Sequence, residues 1–599
     1  GTASASTIGA DTSGNTNHFT SSGIVASDCN MPDSPENGFA NINPLNVTDS
    51  TSPTFSEGNL KTVVSNDGSK WGGSSTIGAS SGKYYFEFLA TQSSNVHIGV
   101  ADETAVREGA RIDDHNVTTG GNAVYYRSND GNKRVITNGS QVTSSYASTY
   151  TTTDIIGVAF DVDGSEVTFF KNNSSLGAIT IPTTTENLFI ALSGGTGNAQ
   201  NTFHLNAGAD SSFAGNKTAQ GNTDGNGIGD FYYAPPSGFL ALCTANLPEP
   251  TISPNAGDGE QADDYFNTVL YSGNGGTNAI TGVGFQPDFV WTKLRSQAGS
   301  HSLADVIRGG TAVIRSDLTN AEVTRANHIQ SFDSDGFTLG ADGTSNLNGS
   351  TNVAWNWKAN GTGVSNTDGS ITSTVSANTD AGFSIVTYTG NGSAGATVGH
   401  SLGTKPEMII LKERNASGNW VTYHEYANAN AQNGYIALNL TSAWTSNSAS
   451  WNNTSPTSSV FTLGNGTDVN TNNHTMLAYC FHSVVGYSKL GTYIGNSSST
   501  GDGTFVYLGF KPSFVMLKDI GGGEWGMFDN TRNTFNVVNK LLNAQSNGAE
   551  YSGDTNRDLD FLSNGFKLRN GSALVFNNSA RTYIYMAFAE TSFKYALGR

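Results

Sequence analysis

Three stretches of the C-terminal half align without gaps: Gly284-Phe-Gln-Pro-Asp-Phe-Val-Trp-Thr-Lys293, Gly403-Thr-Lys-Pro-Glu-Met-Ile-Ile-Leu-Lys412 and Gly509-Phe-Lys-Pro-Ser-Phe-Val-Met-Leu-Lys518. Each reads as a Gly/Pro turn feeding an apolar strand that closes on Lys. A Tyr-x-Gly-Asn element precedes each, at Tyr271, Tyr388 and Tyr493. Phe337-Thr-Leu, Phe461-Thr-Leu and Phe566-Lys-Leu follow, and then the strands Val353–Trp357, Leu477–Phe481 and Ile584–Phe588. The Tyr-to-Tyr spacing of about 110 residues is that of a small sandwich domain rather than a solenoid repeat. Each copy is therefore expected to own its core, and three in series to make a rod. The expected boundaries are 263–365, 366–487 and 488–599.

Composition supports an all-β, multi-domain chain of sandwiches. Only 13% of the 599 residues are charged and 72 are Gly, yet 10% are aromatic and 22 are Tyr. Disorder is poor in aromatics, so short strands rich in Tyr, Phe, Val and Ile, joined by Gly/Asn/Asp/Ser turns, fit both facts. The best amphipathic helical stretch is Phe535–Gln545. A net charge of −19 opposes binding to nucleic acid or to an anionic membrane surface. No apolar run is long enough to insert into a bilayer. Cys29, Cys243 and Cys480 lie far apart with no CxxC pair, which indicates neither a zinc site nor a disulfide framework. The chain starts at Gly1 without Met, so an N-terminal part is expected to have been removed or left out.

Ahead of the repeats, Gly82–Phe88, Val96–Ala101, Asp154–Val162, Glu166–Lys171 and Phe189–Leu192 read as strands of an antiparallel sandwich, with a hairpin around Asp163-Gly164. The order Gly-Lys-Tyr-Tyr-Phe-Glu-Phe, Ile-Gly-Val-Ala, Ile-Ile-Gly-Val-Ala-Phe-Asp-Val-Asp-Gly resembles a SPRY domain over residues 56–208. That resemblance implies a bent sandwich whose loops bind protein partners and which carries no chemistry. The last strand departs from it, with Thr202-Phe-His-Leu-Asn206 where the family often ends in Phe-Gly. Residues 1–55 are left as an N-terminal segment and 209–262 as a Gly/Pro-rich connector.

The whole chain also resembles marine bacteriophage tail-fibre and virion structural proteins. The residues that carry this are Ile24–Asp28, Asn41–Leu45, the SPRY-like core, Ala234-Pro-Pro-Ser-Gly-Phe-Leu-Ala-Leu-Cys-Thr-Ala-Asn-Leu-Pro248 and the repeats. The resemblance implies a fibre or spike on the virion surface. It would be a homo-oligomer, with a trimer favoured, in contact with other virion proteins and a host-cell receptor.

Chemistry finds little support. Gly78-Ala-Ser-Ser-Gly82 matches the serine-hydrolase elbow pattern but precedes a strand, not a helix. Asp161-Val-Asp-Gly164 reads as a hairpin turn. Asp224-Gly-Asn-Gly-Ile-Gly-Asp230 lacks the closing carboxylate of a calcium loop and reads as a flexible connector. No HExxH or related cluster exists, so no catalytic residue, metal or cofactor is expected. Trp420 and Trp525, each shortly after a repeat Lys, are expected as core positions, and Asp305-x-x-Arg308 and Asp529-x-x-Arg532 as ion pairs.

For ligand binding, Trp444 and Trp451, private to the second copy, and Tyr125 and Tyr126 are the candidates, with core packing as the competing explanation. The function expected is multivalent, non-catalytic attachment by a virion appendage. An architectural protein without receptor binding and a glycan depolymerase are the alternatives.

Overall fold

The computed structural model describes Asn17 and residues 37–48, 53–64, 71–92, 96–106, 120–184, 186–194, 201–253, 260–497, 502–553, 555–569, 575–579 and 581–590. Cys29, Ile24–Asp28 and the rest of the chain lie outside the described residues. The molecule divides into two compact units, Gly1–Pro248 and Glu249–Phe593. Among the described residues, no helix is long and apolar enough to cross a membrane.

The first unit is a sandwich of two antiparallel-paired sheets, of seven and eight strands. Strand Lys83–Gln92 explains why so apolar a run sits at its centre. Tyr84, Phe86, Phe88 and Ala90 face the core between the sheets, while Tyr85 and Leu89 face outward into two further apolar clusters. The outer face is covered by residues from the segment 209–262, which is packed on the sheet and is not the flexible connector expected from its sequence. Phe213, Phe231 and Cys243 are buried on it. Leu240–Ala241 pairs in parallel with Tyr84 and Tyr85, where strand Asn201–Asn206 has ended opposite Glu87. The Pro-Pro-Ser-Gly-Phe stretch thus delivers a sheet-completing strand. Ile42–Thr48 and Thr54–Ser56 belong to the sheets as well, so the sandwich extends beyond 56–208 on both sides. The Asp224 carboxylate closes a turn: Oδ1 accepts from the N–H groups of Asn226 and Ile228, and Oδ2 from that of Ala241 and from Asn246 Nδ2.

In the second unit one strand order occurs three times. Phe266–Ser272, Thr351–Trp357, Phe289–Leu294 and Ser302–Asp305 form the first sheet, in that spatial order. Phe383–Thr389, Thr475–Phe481, Met408–Glu413 and Trp420–His424 repeat it within the second, and Ser488–Ile494, Thr582–Ala589, Pro512–Asp519 and Trp525–Asp529 in the third. The Gly/Pro-turn segments therefore supply the third strand each time. Each Tyr-x-Gly-Asn turn is held by a buried Asn remote in sequence. Asn346, Asn470 and Asn577 accept from the N–H groups of Asn274, Asn391 and Asn496, while Tyr271, Tyr388 and Tyr493 donate to the carbonyls of Ser345, Val469 and Phe576.

The three sheets do not form a rod of separate domains. Their inner faces share one core. Phe289 stacks on Tyr479 at 4.1 Å between ring centroids, Phe266 on Phe588 at 4.8 Å, and Phe481 meets Phe588 edge-on at 6.3 Å. The apolar runs are longer than one exposed face would need because each inner sheet also covers a small outer sheet: in the first, Val290, Ala304 and Ala354 pack on Phe337 and Leu339. Phe535–Gln545 is not a helix; it is an irregular segment containing the short strand Leu542–Asn543, and its apolar period serves burial of Val538, Leu541 and Leu542 instead.

Candidate functional site

Three of the four residues singled out for binding lie in the interior. Tyr125 and Tyr126 are fully buried in strand Ala123–Arg127, where Tyr126 packs against Tyr146, Tyr150 and Phe169. Trp451 is buried against Tyr423 and Phe461. None presents a ring face to solvent, so core packing accounts for them. Trp444 is half-buried and packs on the shared core, whereas Trp451 belongs to a different apolar cluster. Trp420 and Trp525 are core residues, as expected. Gly78–Gly82 runs from strand Trp71–Ala79 into strand Lys83–Gln92 through a turn.

The repeat lysines and Glu87 are buried titratable groups held largely by backbone. Burial pushes Lys293, Lys412 and Lys518 down to about 8. Each ammonium donates to carbonyls: Lys293 to Leu294 and Gly548, Lys412 to Glu413, and Lys518 to Gly523. Burial pushes Glu87 up to about 7, against the N–H groups of Tyr232 and Tyr233 and the amide of Asn206, which favour its charge. This carboxyl pins residues 232–233 onto the sandwich. No group of three or more His, Cys, Asp or Glu side chains able to hold a metal exists among the described residues.

What remains is a surface feature that sequence reasoning passed over. The segment after strand Trp525–Asp529 holds Phe535 in water, 84% exposed. Its neighbours fix the backbone on either side. Asn533 Oδ1 accepts from the N–H groups of Asn539 and Lys540, and Asn536 exchanges two hydrogen bonds with the backbone of Phe561, at 2.9 and 2.8 Å. Lys540 Nζ donates to Arg532 O. Val537 is partly exposed, whereas Val538 is buried and bridges to Leu559. The loop is thus an anchored, amide-rich frame around one apolar ring. It offers a contact surface. The signal in sequence was there: Phe535 stands among Asn533, Thr534 and Asn536.

The sandwich and its sequence place the chain in a class. The SPRY family profile matches residues 83–210, so this is an all-β protein carrying a SPRY sandwich, a module for protein–protein interaction. The profile of the family described as a domain of unknown function, DUF7483, matches residues 261–592. The chain belongs to that family. Among solved structures it is similar to the SPRY domain of human HERC1, at 18% identity over 27% of this chain and 96% of that one, with a TM-score of 0.23. A human SPRY domain is similar at 16% identity over 26% and 94%, with a TM-score of 0.21. The PSpry domain of TRIM65 is similar at 12% over 28% and 88%, with a TM-score of 0.22. No curated protein matches.

Proposed function

We propose that this chain is a non-catalytic binding protein of a bacteriophage particle, a tail fibre or related virion appendage that attaches to the host surface. The observation that carries the binding reading is the Phe535 ring, held in solvent by a loop whose own amides are spent on fixing it. Ordering a flexible loop on binding costs free energy, so a pre-fixed ring is suited to weak, repeated contacts with sugar C–H faces or apolar side chains. The SPRY sandwich supports a protein partner, such as another virion protein, and the acidic charge disfavours nucleic acid. The phage setting rests on the sequence resemblance alone.

The test is binding of the full chain to host envelopes and to a glycan array, with F535A alongside. Loss of binding by about tenfold or more at unchanged thermal stability is expected. No binding by the unaltered chain would favour a purely architectural role. Release of reducing ends from host polysaccharide would favour a depolymerase.

A further inference from the structure

The contacts between the three sheets of the second unit close on themselves. Beside each repeat Lys, a ring N–H reaches a backbone carbonyl of another copy. Trp420 Nε1 of the second donates to Arg315 O after the first, at 2.8 Å, and Trp525 Nε1 of the third donates to Ala437 O of the second, at 3.0 Å. His301 holds the equivalent place in the first. Its Nδ1 accepts from Trp291 Nε1, leaving Nε2 to bond Asn543 O of the third, at 3.1 Å. The backbone repeats the cycle: Glu322 N donates to Arg414 O, Trp444 N to Ile520 O and Glu550 N to Arg295 O, at 2.7, 2.8 and 2.9 Å. First meets second, second meets third, and third meets first.

The closing seam between first and last sheets is as full as the others. Arg295 forks onto Glu550 at 2.8 and 2.9 Å, Trp355 Nε1 donates to Asp529 at 3.0 Å, and Ser316 Oγ donates to Ala544 O at 2.7 Å. Lys293 Nζ and Gly299 N add bonds to the carbonyls of Gly548 and Asn547. Every inner sheet face is covered by the other two sheets of the same chain.

We infer that this unit is a single-chain counterpart of a homotrimer: one chain supplies all three faces, and the protein is a monomer rather than the trimer that the phage-fibre resemblance implies. Valency on a particle then comes from the number of chains mounted there, not from their trimerisation. Copies of the chain cannot pair through the inner faces without displacing their own.

A protease site inserted after Thr362, exposed between the first and second sheets, tests this in the full chain. Before cleavage, native mass measurement is expected to give one particle at the mass of one chain, 62.7 kDa. After cleavage the two pieces are expected to stay together at that mass and to part only in denaturant. A particle of three chains, or pieces that separate in native buffer, would overturn the inference. If the insertion itself disturbed folding, the mass of the unaltered chain still decides.

Discussion

Two of the seams in the second unit are built on buried charge and one is not. Where first meets second, Arg308 is paired with Asp305 at 2.6 Å and Glu322 at 2.8 Å, Glu322 with Arg414, and Tyr479 donates to Asp305. Where third meets first, Arg532 is paired with Asp529 at 2.5 Å and Glu550 at 3.3 Å, Glu550 with Arg295, and Trp355 takes the place of Tyr479. Where second meets third, His424 stands in register where the other sheets have Asp305 and Asp529. Trp444 and Ile520 occupy the places of the Glu and the second Arg, and both pack on the shared core. The same backbone geometry is thus held by ions twice and by apolar contact once. A buried ion network must be complete to be tolerated, whereas an apolar seam can lose part of its contacts and degrade gradually.

The largest difference should appear on breaking a network. R532A leaves Asp529 buried without its cation, with Glu550 keeping only Arg295, and is expected to cost about 3–5 kcal/mol of unfolding free energy. W444A removes a half-buried ring from the apolar seam and should cost about 2 kcal/mol, less than a fully buried Trp would. Denaturant unfolding of both variants measures this. Equal losses would mean that the seams are energetically alike.

Acid should separate the seams by pH. Burial opposes the charges of Glu322 and Glu550, but the arginines on each outweigh it and hold both carboxyls below the usual 4.5. Their stabilisation is fully present above that value and is lost as pH falls through the lower folded value. Burial holds His424 down from 6.5 to about 4, with the Tyr585 carbonyl and Glu425 acting the other way. Below 6.5 the unfolded chain therefore takes a proton that the folded chain refuses, and stability falls between 6.5 and 4. H424N should recover about 2 kcal/mol of the loss between pH 7 and pH 5. A loss of the same size in the variant would place the acid sensitivity in the other buried histidines.

Why the strands were legible and the seams were not is a matter of range. The Lys-closed strands follow from local pattern, and the Asp305/Arg308 and Asp529/Arg532 pairs from a spacing of three residues. Both are found as ion pairs. Trp420 and Trp525 were readable as interior because they recur. The partner of Arg295, however, is 255 residues away, and that of Trp355 is 174 away. Nothing in one copy announces what the next will cover. A repeat of domain length is equally consistent with a rod and with a ring, and only the inner faces, apolar at Phe289, Tyr479 and Phe588, decide for the ring. The connector was misread for a related reason: its Gly and Pro are turn chemistry, and its few buried anchors, Phe213, Phe231 and Cys243, are too widely spaced to show a period. Phe535 was hidden by a helical period that the surrounding Asn residues overrode.

The smallest effect concerns the repeat lysines themselves. Lys293 crosses the closing seam to Gly548 O, whereas Lys412 bonds only the carbonyl of the next residue, Glu413. Both are held near 8 by burial, so below that pH each carries a charge in a site that disfavours it. Between about 8 and the ordinary 10.5 the unfolded chain holds the extra proton, and these groups make stability rise with pH. K412M should change stability at neutral pH by no more than about 1 kcal/mol, in either direction, because an apolar chain of similar length replaces a buried charge. It should also flatten part of the rise above pH 8. K293M removes a link between first and third sheets and should cost more than K412M. If the two variants are equal, the lysines act within their own sheets and the closing seam does not depend on them.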